Sequence, residues 1–269
     1  MAKQSLLLLL CLLLFPLQAG AILNISFLDP SQFLNQKLPQ NVSNEAVKMF
    51  AIYTVHRPYT GATSMVDYNS MDVLVEATLV KIGDGVLNAL AANGITPPQI
   101  EAPAVPIGAL KIRKAINERS DLGISVLSYQ GQIIVGGDVK VVLHKAEEGP
   151  SFAIRLGYTY ANVPYAFLHD ISTISPEFVM SQKLYFAEPY LGIGGRYMHG
   201  RIAMSETVNV PILGPETVNV TGTGSGTTGY AFTGVYFRIF GAQGLRLGVE
   251  GTFDLSGYST VGGVFGLGF

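Results

Sequence analysis

From residue 73 to its end the chain alternates, and no other feature limits its fold so strongly. In 259–269, Val261, Gly263, Phe265, Leu267 and Phe269 share one parity, and Gly262, Val264, Gly266 and Gly268 the other. In 245–254, Leu245, Leu247, Val249, Gly251 and Phe253 oppose Arg246, Gly248, Glu250, Thr252 and Asp254. In 133–143, Val135, Gly137, Val139, Val141 and Leu143 oppose Gly136, Asp138, Lys140 and Val142. Period two is the signature of a strand, because successive side chains leave a strand on opposite faces.

Ten such segments are legible: 73–82, 107–117, 122–129, 133–143, 152–160, 170–181, 187–201, 229–239, 245–254 and 259–269. Each is about ten residues long, the length a tilted strand needs to cross hydrocarbon. The gaps sort by side. Counted back from the last segment, 118–121, 144–151, 182–186 and 240–244 fall on one side and are short. On the other side lie 83–106, 161–169 and 202–228, which are long, with 130–132 and 255–258, which are not. Short periplasmic turns with longer outer loops are the asymmetry of a membrane barrel, and a soluble sandwich gives no reason for it. The expectation is an all-β, antiparallel transmembrane barrel of ten strands, with twelve as the alternative count.

Composition narrows the rest. Charged residues are 13 % of the chain, well below a soluble protein's share of about 25 %. With 48 % apolar residues the chain is not a disordered one. A formal net charge of −2 offers no footprint for nucleic acid. Lys3, an apolar run from Leu6 to Phe15 and the breaker Pro16 read as a secretory signal peptide over 1–21, with Ala19 or Ala21 before the cut. Cys11, the chain's one cysteine, falls within it, so no disulfide framework is expected.

These features together resemble a Gram-negative outer-membrane β-barrel protein: the signal peptide, the alternating strands, and the ending Tyr258-Ser-Thr-Val-Gly-Gly-Val-Phe-Gly-Leu-Gly-Phe269. Ser181-Gln-Lys-Leu184 and Pro189-Tyr-Leu-Gly-Ile-Gly-Gly195 also resemble a turn and strand common in small barrels. The resemblance covers 73–269. It implies the bacterial outer membrane, lipid around the barrel, and recognition of Phe265, Leu267 and Phe269 by the barrel-assembly machinery.

Residues 22–72 form a separate N-terminal periplasmic segment or plug. Asn41-Val-Ser-Asn44 offers a helix cap, and Val47, Phe50, Ala51 and Thr54 recur at helical spacing. His56-Arg57-Pro58 ends that helix. The piece either plugs the barrel or lies against its periplasmic mouth, and a loosely ordered leader is the alternative. Gly83–Asn93 reads as a second short helix, in the first outer loop, and Pro97, Pro98, Pro103 and Pro106 keep the rest of that loop extended. In 202–228 the repeat Glu206-Thr-Val-Asn-Val210 and Glu216-Thr-Val-Asn-Val220 brackets Pro211-Ile-Leu-Gly-Pro215, a hairpin pattern. Gly222–Gly229 reads as flexible slack beside it.

The inward parity carries the charges: Lys111, Arg113, Lys140, Arg155, Arg196, Arg238 and Arg246 against Glu76, Asp138, Glu177, Glu188, Glu250 and Asp254. Opposite signs in so narrow a lumen should pair, with Tyr129, Tyr190, Tyr230 and Tyr236 filling space between them. Tyr158, Tyr160, Tyr197, Phe237, Phe253 and Phe269 face outward near strand ends, as interfacial girdles do.

Enzyme signals are poor. His169-Asp170, with His199 and Asp254, would sit at the outer rim, and ordinary polar rim residues account for them. His56, His144, His169 and His199 show no metal spacing, and no cofactor is implied. The expected function is passage or binding of a small apolar molecule through a narrow, gated lumen. The alternative is a structural or surface-interaction barrel that presents its outer loops, with a hydrolase a distant third.

Overall fold

The computed structural model describes residues 37–65, 70–81, 84–95, 104–129, 132–146, 148–163, 168–210, 214–240 and 243–269. The signal peptide, Pro97, Pro98, Pro103 and Pro211, and the side chain of Tyr129, lie outside the described residues.

Ten antiparallel strands close on themselves: β1 (Met71–Lys81), β2 (Ala104–Asn117), β3 (Ser120–Tyr129), β4 (Gln132–His144), β5 (Pro150–Val163), β6 (Leu168–Gln182), β7 (Ala187–Val210), β8 (Gly214–Ile239), β9 (Leu245–Asp254) and β10 (Ser259–Gly268). Every strand pairs with its neighbours in sequence, and β1 closes the ring against β10, from Asp72↔Gly268 to Lys81↔Ser259. Closure leaves the membrane-spanning ladder without an edge, which lipid requires.

Met71 and Phe269 lie together at one end, joined by backbone hydrogen bonds of 3.1 and 2.8 Å. That end carries only short turns, whereas the opposite end carries the long connection 82–103 and the extension of β7 and β8 beyond their neighbours, so the first is the periplasmic one. At the other end, the outer end, β7 and β8 run on as a two-stranded ribbon. The last β6–β7 pair is Leu168↔Ile202, whereas β7 and β8 stay paired to Val210↔Gly214. Much of the long loop expected over 202–228 is therefore strand.

The phase of the pleat follows the alternation. Val135, Val139, Val141, Ile154, Leu156, Ile174, Phe178, Leu191, Ile193 and Val249 point out and stay exposed. Their neighbours Asp138, Lys140, Arg155 and Glu250 point in and are buried. Exposed aromatics ring both ends of this apolar band, with Tyr158, Tyr160, Tyr197 and Phe253 toward the outer end. Tyr185, Phe186, Phe240 and Phe269 ring the periplasmic one. Such an exterior suits hydrocarbon flanked by headgroups, and this barrel is one that spans a bacterial outer membrane. Val139→Arg should therefore lower the unfolding free energy in lipid by about 2–4 kcal/mol near the midplane. Val139→Leu is the control, and equal urea midpoints for the two variants would mean that Val139 does not face lipid.

The N-terminal segment fills the lumen. Helix α1 (Gln40–Thr54) occupies the outer half, and residues 55–65 continue as an extended strap toward the periplasmic end. The helix begins one residue before Asn41, after Pro39 rather than at an Asn cap, and no side chain caps it. Its other end is served by Arg57, whose guanidinium donates to the carbonyls of Ile52 (2.6 Å) and Val55 (3.2 Å). A cation there answers both the orphan carbonyls and the negative end of the helix dipole. Helix α2 (Gly85–Ala92), in the first outer loop as expected, packs beside α1 through Val86 and Leu90.

Two findings depart from expectation. The helix sits at the outer mouth, not at the periplasmic one: Leu38 N–H donates to Thr221 O (3.3 Å), beyond the last β8–β9 pair. The Gly222–Gly229 run is not slack but part of β8. A Cβ on Gly222 or Gly224 would run into Ser43, so the missing side chains let α1 lie directly on the sheet.

Candidate functional site

The lumen has two chemistries stacked along its length. At the outer end the inward positions are apolar: Leu127, Ile134, Ala161, Val163, Leu168, Ile171, Met198, Ile202 and Val220. They enclose Val42, Val47, Phe50 and Ile52 of α1. Each fully buried aliphatic or Phe side chain is worth about 1.5–3 kcal/mol, so this contact holds the helix in the mouth.

Below it the inward positions are charged, and the strap threads between them. Asp138 on β4 is the centre. It takes two contacts from Arg113 Nη2, at 2.6 and 2.7 Å, and one from His56 Nε2, at 2.6 Å. The other ring nitrogen of His56, Nδ1, meets Ser125 Oγ at 2.6 Å. Further down, Lys140 donates to the carbonyls of Gly61 (3.1 Å) and Thr63 (2.6 Å) and pairs with Asp121 at 2.7 Å. Arg155 reaches Thr60 O at 3.2 Å and pairs with Glu177. Ser181 accepts from the N–H of Ala62 (2.7 Å), and Glu188 from that of Thr63 (3.0 Å). Tyr59, held at a positive φ of 53°, donates to Glu76 at 3.1 Å, and Lys111 reaches the carbonyl of Arg57. Inward side chains of β1 through β7 thus all bond the strap.

The structure places every charged residue assigned from sequence to the inward parity on the inner face. Lys111 pairs with Glu76 (2.9 Å), Arg196 with Asp254 (3.1 Å) and Arg238 with Glu188 (3.4 Å). Arg246 pairs with Asp72 at 2.8 Å. Glu250 instead accepts the Tyr190 hydroxyl at 2.8 Å. Aromatic rings take up the remaining room, and the Arg196 guanidinium stacks 3.7 Å from the Tyr230 ring centre. Four members of the lumen's ion pairs escaped the sequence reading: Asp72, Asp121, His56 and Arg57. The first two stand one residue outside the segments drawn from alternation. Phe265, Leu267 and Phe269 lie on the outward side of the closing strand and its end, with Phe265 and Phe269 exposed.

Ser125, His56 and Asp138 have the order of a hydrolytic triad. Two facts make them a clamp instead. The ring presents Nδ1 to the serine and Nε2 to the aspartate, the reverse of the usual arrangement. The cavity beside Ser125 holds about 10 Å³, room for one water at most. The rim residues do not assemble either. Asp170, at a bulge with φ of 50°, is engaged by Arg201 and by the Tyr160 hydroxyl (2.8 Å). Asp254 is engaged by Arg196 and Thr228 (2.6 Å), and His199 faces outward.

No family model matches the chain, and no curated protein matches it. Among solved structures it is similar to Ail, the attachment invasion locus protein of Yersinia pestis, in complex with the heparin analogue sucrose octasulfate. That match has 10 % identity over 74 % of this chain and 98 % of Ail, with a TM-score of 0.31. A second structure of Ail matches at 9 % identity over 75 % and 99 %, with a TM-score of 0.29. A likeness this slight carries no argument, and the barrel rests on this chain's own closed ladder.

One recess opens on the outer wall. Val139, Val141, Ile154, Leu156, Phe178 and Ile193 surround a space of about 640 Å³ beside Pro176. The β6–β7 ladder lapses there, between Ile174↔Tyr197 and Glu177↔Gly194, where Pro176 brings no N–H.

Proposed function

We propose that this protein is a sealed outer-membrane barrel whose working surface is its outer end: the β7–β8 ribbon and the mouth stoppered by α1. The strap carries this reading. It is bonded by inward side chains from seven strands, so the lumen is occupied by the chain itself. A planar-bilayer recording of the purified barrel should show no stable, porin-sized conductance, and a steady one would overturn the reading.

The same placement makes a topological prediction. Lys37 is exposed beside the ribbon, which puts this residue at the cell surface. Lys37→Cys should react with a membrane-impermeant maleimide on intact cells, with the parent chain unlabelled. Labelling only after the outer membrane is breached would reverse the orientation.

Binding of a small apolar molecule is the second reading, and the recess at Pro176 favours it. An acyl chain could enter it from the lipid side without crossing the lumen. Ile193→Trp would fill the space and should abolish binding of a fluorescent fatty acid, and unchanged binding would overturn this second reading.

A further inference from the structure

The ribbon is built from one segment paired with its own copy. Glu206-Thr-Val-Asn-Val210 lies antiparallel to Glu216-Thr-Val-Asn-Val220, in a register that sets Thr207 opposite Thr217. The same register sets Glu206 opposite Val218 and Glu216 opposite Val208, so the two glutamates are not register partners. The sequence is thus self-complementary about its threonine: centred there, it pairs with itself without a like-charge clash.

The two edges of the ribbon are treated differently. On the β8 edge, Thr221 O and Thr223 O accept from Leu38 N–H (3.3 Å) and the Gln40 amide (2.8 Å). Ser225 N–H donates to Asn44 Oδ1 at 3.0 Å. The N-terminal segment therefore covers that edge. Beyond Ile202, no described residue pairs with the β7 edge.

The covered edge also tells which groups of the free edge are open. In an antiparallel ladder a residue's N–H and C=O point to the same side, and the side alternates. The backbone groups of Thr221, Thr223 and Ser225 point away from β7, so those of Thr217 do too. Its partner Thr207 then points its N–H and C=O away from β8, as do Ser205 and Asn209. All three lie on the open edge, and the threonine at the centre of the self-complementary segment is among them.

We infer that the free edge of β7 binds the same edge of a second copy of this chain, Thr207 opposite Thr207, with the two copies in opposing membranes. Direction fixes the last point. In one membrane every β7 runs outward, so two ribbons standing side by side are parallel. Antiparallel pairing brings together chains that run toward each other, as they do when two surfaces meet. The contact is isologous and closes on itself. It merges two ribbons into one four-stranded sheet by strand addition. The inference rests on the outer end being the exposed one.

The test uses phosphatidylcholine vesicles carrying the full chain with the ribbon outward, scored by turbidity and by energy transfer between two dye-labelled populations. Wild-type vesicles should tether. Thr207→Pro removes only a donor that the internal ladder does not use, and proline is tolerated on an edge. Tethering should fall about tenfold or more, since both bonds of the central pair are lost together. A charge pair tests the register itself. Thr207→Lys vesicles and Thr207→Glu vesicles should each fail to tether alone and should tether when mixed. Wild-type vesicles that stay apart, Thr207→Pro vesicles that tether as well as wild type, or a charged mixture that stays apart would each overturn the inference. Lys37→Cys labelling on cells keeps the cases distinct: if the label reacts and vesicles stay apart, this contact fails while the surface reading stands.

Discussion

Asp138→Ala should cost the folded barrel about 3–5 kcal/mol, the penalty for removing one partner from a buried ion pair. The carboxylate accepts from two side chains at once. Arg113 and His56 both aim at it, and all three side chains are buried. The nearby Asp121 carboxylate lies 3.9 Å from Arg113 and is already engaged by Lys140, so it offers little relief. The control is Asp170→Ala. Asp170 also has an arginine partner, but both side chains are about half exposed, and exposed pairs are worth about 0–1 kcal/mol. Urea titration in detergent micelles gives the two numbers. Equal midpoints for Asp138→Ala and Asp170→Ala would mean that the buried network does not hold the strap.

Much of this site was legible along the strands, and what escaped did so for physical reasons. Alternation assigns a face to each residue, and the charges follow from it. On β4, Lys140, Asp138, Gly136 and Ile134 share the inner face, and on β7 Glu188, Tyr190, Arg196, Met198 and Ile202 do. Read along β3 to β8, the inner face turns from charged or polar to apolar toward the outer end. That gradient asks for an apolar stopper at the outer mouth. The placement of α1 is therefore a tertiary answer to a pattern spread over six strands. His56 is a different case. Its partners stand 69 and 82 positions away, and no local spacing links a lone histidine in a leader to a serine and an aspartate on two strands. The glycine run of β8 misled for the opposite reason. Local propensity makes Gly222–Gly229 a loop, and packing against Ser43 and Val47 makes it a strand.

The largest functional effect should come from removing the stopper. A chain lacking residues 40–65 loses α1 and the strap while keeping all ten strands. An eight-strand barrel is just filled by its own side chains. Ten strands leave more room, which here is taken by the segment deleted. Lys140, Arg155, Lys111 and Glu188 would lose their strap partners, yet each keeps a carboxylate or a guanidinium on a neighbouring strand. Water entering the lumen would solvate what remains, so the barrel should still fold, as a heat-modifiable band on a gel would report. The wild type should be silent in a planar bilayer and the deletion should conduct steadily, at a level below that of a sixteen-strand porin. Ion selectivity should be weak, because acidic and basic side chains are interleaved throughout the charged part of the inner wall. A folded deletion that stays silent would mean the wall closes the lumen without the strap. A strongly selective one would mean that the pairs separate once their tether is gone.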